Sequence, residues 1–124
     1  FGFQMAKAIA SFDIGQTVVV KKKAVLAVEA IEGTDEAIRR GGDLGSGKVT
    51  VVKVAKPDQD MRFDVPAVGL HTLKELSDVQ AEAFGFEAGK TIFLEKKEFV
   101  EGADRAGIAL VGLSQKDLSS KNNP

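Results

Sequence analysis

Cysteine, tryptophan and tyrosine are absent from this chain of 124 residues, and histidine occurs once, as His71. Without cysteine the chain has no disulfide, no thiol nucleophile and no cysteine zinc site. A single histidine excludes a multi-histidine metal centre, and the missing tryptophan and tyrosine remove two of the usual base-stacking side chains. The net charge of −1 and the pI near 5.9 argue against broad electrostatic binding to nucleic acid. We therefore expect no nucleic-acid partner.

Long hydrophobic runs are also missing. No apolar stretch approaches the roughly 20 residues of a membrane span, and no signal peptide is visible. The composition, with 44% hydrophobic and 28% charged residues, is ordinary for a globular protein, and the length fits one domain. Because the chain begins at Phe1 inside a helical pattern, we interpret it as a fragment of a longer protein. Residues 114–124 are predicted to form a polar tail whose end is loose.

Hydrophobic periodicity predicts alternating helices and strands. Apolar residues at helical spacing predict helices over 3–12, 34–42, 73–84 and 97–106. Runs of β-branched and other apolar residues predict strands over 17–20, 24–30, 48–56, 91–94 and 108–113. Thr34 is expected to cap the second helix, and Gly41 and Gly42 to end it. The alternation predicts an α/β fold, a single compact domain with a mixed β-sheet and three to four helices.

The glycine-rich segment 42–49 has the spacing of a phosphate-binding loop at Gly42, Gly47 and Lys48. Val49 stands where such a loop carries its magnesium-binding hydroxyl residue. The segment also precedes a predicted strand, whereas a phosphate-binding loop follows a strand and opens a helix. We therefore interpret it as a helix-to-strand turn.

A second candidate anion site is the turn from Glu32 to Asp35, which joins a strand end to a helix start. Free backbone N–H groups at a helix start attract phosphate or carboxylate. Capping by Thr34 alone would also explain these residues. Glu32 and Asp35 would repel a bare anion, but they suit a metal-bridged phosphate or sugar hydroxyls.

The segment 53–66 carries the densest polar chemistry, directly after a valine-rich strand. Its carboxylates can hold a hard divalent cation, and its basic side chains can meet phosphate oxygens. The acids are Asp58, Asp60 and Asp64, and the bases are Lys53, Lys56 and Arg62. Together they are suited to metal-assisted attack of water on phosphorus, although a solvated loop is the alternative. His71 is left out, because a histidine there more often decorates a helix start than acts as a base.

Four phrases of the chain, in this order, resemble one enzyme family. They are DIGQTVVV (13–20), LAVEAIEGTD (26–35), KVAKPDQDMRFDVP (53–66) and FEAGKT (86–91). The chain is similar to the C-terminal domain of the UDP-2,3-diacylglucosamine pyrophosphatases of lipid A biosynthesis, in the form unrelated to calcineurin-like phosphoesterases. The likeness implies that residues 1–113 are the C-terminal catalytic domain of a two-domain enzyme. The N-terminal domain is then absent from this chain, and the substrate would lie between the two domains.

The resemblance implies Mg²⁺-dependent hydrolysis of UDP-2,3-diacylglucosamine to UMP and 2,3-diacylglucosamine 1-phosphate. It places the catalytic, metal-binding carboxylate at Asp64, with Asp60 second and Asp58 not a ligand. The expected substrate contacts are Glu32, Gly33, Thr34, Asp35, Lys53, Lys56, Gln59 and Arg62. A homo-oligomer is expected, in the cytoplasm and peripheral to the cytoplasmic face of the inner membrane. The alternative is a non-catalytic fragment that binds a ligand or associates with itself.

Overall fold

The computed structural model describes residues 1–57 and 65–121. Helices and strands alternate along them as the hydrophobic periodicity predicts. The elements are α1 (Gly2–Ser11), β1 (Thr17–Lys21), β2 (Ala24–Val28), α2 (Thr34–Gly45), β3 (Thr50–Lys53), β4 (Ala67–Val68), α3 (Leu70–Asp78), β5 (Ala83–Glu87), β6 (Ile92–Phe93), α4 (Lys96–Ala106), β7 (Ala109–Leu113) and α5 (Gln115–Lys121).

The main sheet has five strands in the order β2-β1-β3-β5-β7. Strand β1 is antiparallel to both β2 and β3, whereas β3, β5 and β7 are parallel to one another. Strands β4 and β6 form a separate parallel pair. The predicted α/β fold with a mixed sheet is confirmed. The described residues form five helices, one more than the upper end of the prediction.

Helices cover both faces of the sheet, because alternate side chains of its central strands point to opposite sides. Val18 and Val52 pack with Phe3 and Ala6 of α1. Val19, Val51 and Phe84 point to the other face, into a core built with buried residues of α2, α3 and α4. Burial on both faces explains why β1 and β3 are nearly continuous valine runs instead of alternating apolar and polar residues.

Helix α2 is longer than its sequence predicts. Gly41 and Gly42 were expected to end it, but both are buried within it, and the helix continues to Gly45 before a left-handed Ser46. A Cβ at Gly41 would overlap Val19 of β1, and one at Gly42 would overlap Val79. The glycines therefore allow the helix to approach its neighbours closely instead of stopping it. Segment 42–49 still joins a helix to a strand, so the rejection of a phosphate-binding loop holds.

The predicted helix over 73–84 is wrong at its C-terminal end. Helix α3 ends at Asp78, and Gln80 has a left-handed φ of 55°. Phe84 lies in β5, where it pairs with Val51 and Leu110 of the neighbouring strands. A buried phenylalanine fits the spacing of an amphipathic helix and that of a central strand equally well, so periodicity alone could not separate the two.

The structure adds detail to two segments, the turn between β1 and β2 and the C-terminal segment. The hairpin between β1 and β2 is confirmed, and Lys22 and Lys23 form its turn with positive φ angles of 51° and 62°. Much of the expected tail forms helix α5, whose Leu118 packs against the α1 side of the sheet. That single leucine supplies an apolar contact in an otherwise polar sequence.

Candidate functional site at the polar edge of the sheet

One edge of the main sheet collects the ends of four strands. Because β1 is antiparallel to β2 and β3, strands β2, β3, β5 and β7 all end at the edge where β1 begins. Helix α2 begins here, after the five residues that follow β2. Helix α3 also begins here, as the contact between His71 in its first turn and Asp35 of α2 shows. We call this the polar edge. Ligands of open α/β sheets bind in the crevice outside the carboxyl ends of the strands.

Glu29, the first residue after β2, organises the start of α2. Its carboxylate accepts a hydrogen bond from the Gln16 backbone N–H at 3.1 Å and from the Thr34 hydroxyl at 3.3 Å. Thr17, fully buried at the start of β1, has its hydroxyl 3.3 Å from that of Thr34. Thr34 is thus the first helical residue and faces inward, and the predicted cap is wrong, since Gly33 occupies the capping position without a side-chain bond.

Gly33 leaves the first turn of α2 open. Its φ of 94° lies in the region that favours glycine, and a Cβ placed there would meet nothing within 4 Å. The initial N–H groups of a helix have no partner inside the helix, and they carry its positive dipole end. The turn can therefore admit an anionic oxygen close to the backbone.

Lys53 provides a cation at the same edge, within electrostatic range of Glu29 and Asp35. It is the last residue of β3, it is half-buried, and its Nζ lies 3.4 Å from the Ala67 carbonyl oxygen. Burial lowers the pKa of Lys53 below its usual value, and the negative charges of Glu29 and Asp35 partly oppose that effect. A contact with a phosphate oxygen would stabilise the charge of this partly desolvated ammonium group.

Asp35 belongs to a second group of side chains at the same edge. Its carboxylate lies 2.6 Å from His71 Nδ1, and the ligand atoms of Asp35, His71 and Glu75 all fall within 4.8 Å of one another. Arg39 holds the buried Glu75 carboxylate at 2.7 Å. An imidazole with two carboxylates suits zinc-like ions better than Mg²⁺, which prefers oxygen ligands alone. In this structure the group connects α2 to α3 through the Asp35–His71 contact and the Arg39–Glu75 ion pair.

Two of the expected substrate contacts are engaged in local bonds. The Glu32 carboxylate accepts from the Ala30 backbone N–H at 2.9 Å, which lowers the pKa of Glu32 below its usual value. Arg40 also contacts Glu32, at 3.3 Å. Lys56 lies past the end of β3 and pairs with the exposed Asp13 at 2.7 Å. Glu32 therefore stabilises its own turn, and Lys56 lies at the polar edge in an ion pair with Asp13.

Of the residues predicted to contact substrate, the structure describes six at or near the polar edge, namely Glu32, Gly33, Thr34, Asp35, Lys53 and Lys56. The other predicted residues lie outside the described part of the chain. These are Gln59, Asp60, Arg62 and Asp64, together with Asp58.

Glu29, Thr17 and Glu75 were not singled out from sequence, and His71 was considered there but left out. Glu29 lies three residues before Glu32, where the predicted turn begins, and this short separation was the signal that could have identified it. The others meet through strand pairing and helix packing, which no local pattern encodes.

An apolar cavity of about 220 Å³ lies away from this edge. It is lined by Thr50 and Ala83 at the amino ends of β3 and β5, and by Phe1 and Leu118 of the α1 side. Its position separates it from the charged groups described above. None of the described helices is both long enough and apolar enough to cross a membrane.

Comparison with known proteins identifies the family of this chain. The sequence profile of the LpxI C-terminal domain matches residues 1–111. The chain is also 32% identical over 121 residues to the UDP-2,3-diacylglucosamine pyrophosphatase LpxI of Caulobacter vibrioides. That alignment covers 91% of this chain and 43% of the relative, so the chain spans less than half of the relative's length. The chain belongs to the LpxI C-terminal domain family.

Proposed function

We propose that this chain is the C-terminal catalytic part of an enzyme that hydrolyses the pyrophosphate bond of UDP-2,3-diacylglucosamine. The observation that carries the proposal is the position of Lys53. This half-buried lysine ends a central strand beside the open first turn of α2, in a chain of the LpxI family. The relative's name supplies the substrate, and the polar edge supplies groups that suit a diphosphate.

In the proposed reaction, the oxygen of water attacks the α-phosphorus, and the bond from that phosphorus to the bridging oxygen breaks. UMP and 2,3-diacylglucosamine 1-phosphate leave, and one proton is released. Lys53 would contact a non-bridging phosphate oxygen, and the N–H groups after Gly33 would bind another. Both contacts are preorganised, because Glu29 fixes the start of α2 and β3 fixes Lys53.

Mg²⁺ is part of the proposal, with Asp64 and Asp60 as its carboxylate ligands. Oxygen donors are the ligands that Mg²⁺ prefers, and both residues follow β3, whose end lies at the polar edge. When bound, Mg²⁺ would neutralise diphosphate charge and acidify a coordinated water. Asp35, with its carboxylate bonded to His71, would face sugar hydroxyls or a metal-bridged phosphate instead of a bare anion.

The test is release of UMP from UDP-2,3-diacylglucosamine by the intact protein, with and without Mg²⁺. Asp64→Ala is expected to lower kcat by roughly 10²–10⁴-fold, because it removes the carboxylate that orients water, while the circular dichroism spectrum stays unchanged. Asp58→Ala is the matched control from the same segment, and it should retain most of the activity. Undiminished turnover in Asp64→Ala would remove that residue from the mechanism.

The alternative is that this chain alone binds or self-associates without turnover. It is favoured by the coverage, since 43% of the relative's length leaves room for an additional domain that completes the site. Calorimetry with UMP and Mg²⁺ on the chain alone, beside the UMP-release assay on the intact protein, separates the two. Binding without turnover by the chain, with turnover by the intact protein, would assign catalysis to the pair of domains.

Self-association and a location at the cytoplasmic face of the inner membrane are further parts of the proposal. Light scattering coupled to gel filtration measures the first, and a homo-oligomer is the expected result. Co-sedimentation of the intact protein with anionic lipid vesicles measures the second. A monomer in light scattering would contradict the expected self-association. Protein that remains in the supernatant after sedimentation of the vesicles would contradict the expected membrane location.

A further inference from the structure

The chain stays tightly held for two residues after β3 ends. Val54 donates its backbone N–H to the Gln16 carbonyl at 2.9 Å, and its own carbonyl accepts from Gln16 Nε2 at 3.0 Å. Ala55 donates its N–H to Glu87 at 3.0 Å, and its carbonyl accepts from Lys7 Nζ at 3.2 Å. All four backbone groups are thus bonded beyond the regular ladder.

The two side chains that hold Ala55 also hold each other. Lys7 Nζ lies 3.1 Å and 3.2 Å from the two carboxylate oxygens of Glu87. The side chain of Glu87 is 3% exposed and that of Lys7 is 12% exposed. Glu87 is the last residue of β5, and Lys7 projects from α1, so the pair connects a strand, a helix and the chain leaving β3.

A buried ion pair is not an efficient way to stabilise a fold, because desolvation of the charges offsets much of their attraction. An apolar pair at these positions would leave the N–H and carbonyl of Ala55 without these partners in the interior. Lys7 can only donate, and it bonds to the carbonyl of Ala55. Ionised Glu87 can only accept, and it bonds to the N–H of Ala55. The two side chains therefore favour a single backbone conformation at Ala55.

We infer that Lys7 and Glu87 are positioning residues, which fix the exit of the chain from β3 and thereby the two lysines on either side of Ala55. Lys53 ends the strand, and Lys56 follows Ala55 directly. Displacement of Ala55 would move both ammonium groups relative to the first turn of α2. The inference rests on the proposed function, in which these lysines bind the diphosphate.

The experiment compares Glu87→Leu, Glu87→Gln and Lys7→Met in the intact protein. Glu87→Leu removes the acceptor for Ala55, and we expect kcat to fall on the order of 10–100-fold with a smaller rise in KM, because misplaced lysines bind the diphosphate more weakly and lose most in the transition state. Glu87→Gln keeps a neutral acceptor and should recover most of the lost kcat. Lys7→Met should lie between them.

Lys74→Met is the matched control. Lys74 forms a 2.7 Å ion pair with Asp78, but both side chains are exposed on α3, away from β3. This variant should match the wild type in kcat and in backbone exchange. Hydrogen exchange of the peptide covering residues 50–57 gives a readout without activity, and exchange at Ala55 should rise in Glu87→Leu and remain low in Glu87→Gln.

Binding of inorganic pyrophosphate with Mg²⁺, followed by calorimetry, separates the inference from the proposed function. If the wild type releases no UMP, the proposed function fails, while weaker pyrophosphate binding and faster Ala55 exchange in Glu87→Leu would still support the positioning role. If Glu87→Leu does not fold, Glu87→Gln and Lys7→Met carry the same comparison. Unchanged kcat per folded molecule and unchanged Ala55 exchange in the folded variants would overturn the inference.

Discussion

Replacement of Gly41 by alanine tests how closely α2 must approach the sheet. In an exposed helix interior this change stabilises by about 0.5–1 kcal/mol, because alanine has the better helix propensity. Here the new Cβ would lie 2.5 Å from Cγ1 and 2.7 Å from Cγ2 of Val19. Val19 is fully buried in β1 and has few rotamers available, so it cannot easily move aside.

Overpacking of this kind costs typically about 1–3 kcal/mol. After the gain in propensity, we expect Gly41→Ala to lower the free energy of unfolding by about 1–2 kcal/mol. For a chain of this length that corresponds to a fall in Tm of roughly 4 °C per kcal/mol. A displaced α2 should also separate Thr34 from Glu29 and weaken binding of pyrophosphate with Mg²⁺.

Urea unfolding followed by circular dichroism measures the change, with Gly102→Ala as the control. Gly102 also lies inside a helix, but its added Cβ would meet only the flexible end of Leu73 at 2.5 Å, with the next atom at 3.7 Å. We expect that control to raise the free energy of unfolding by up to about 1 kcal/mol, because alanine has the better helix propensity and the end of Leu73 can move aside. If Gly41→Ala were as stable as the wild type or more stable, the close contact between α2 and β1 would not be a constraint.

Two further substitutions test the charge at the polar edge and the aromatic core. Because burial lowers the pKa of Lys53, the folded state binds fewer protons than the unfolded state between that pKa and 10.5, so stability should rise with pH in this window. Urea unfolding between pH 7 and 10.5 should show the rise weakened in Lys53→Met, and phosphate affinity of the wild type should fall over the same range. Phe99 is fully buried and packs edge-to-face against Phe93, with ring centroids 5.0 Å apart. Phe99→Ala should lower the free energy of unfolding by about 3–5 kcal/mol. A loss under about 1 kcal/mol in urea unfolding would contradict its place in the core.

Patterns that act over a few residues predicted much of the fold. The valine runs of β1 and β3, the hairpin and the helix that ends at Gly107 were all visible in the sequence. Gly107 adopts the left-handed conformation expected at a helix end. The predicted end of α2 at Gly41 and Gly42 was wrong. Glycine ends helices in exposed positions, but it also permits close packing in buried ones. Only the element that packs against the glycine distinguishes the two roles.

Some features of the candidate site could likewise be predicted from local sequence, and others could not. The turn at Gly33 and the cation at Lys53 could be predicted, because each is a local feature at a strand end. The partners of Asp35 and Ala55 could not, since His71 and Glu87 reach them from other elements.

The sequence by itself determined the alternation of helices and strands, the glycine turn that opens α2 and membership in the LpxI C-terminal domain family. Tertiary structure decided that Phe84 belongs to a strand and that Glu87 bonds to Ala55. The physical reason is the range of the interactions. Hydrophobic periodicity and helix ends depend on neighbouring residues, whereas ladder pairing and buried hydrogen bonds depend on which distant segments meet.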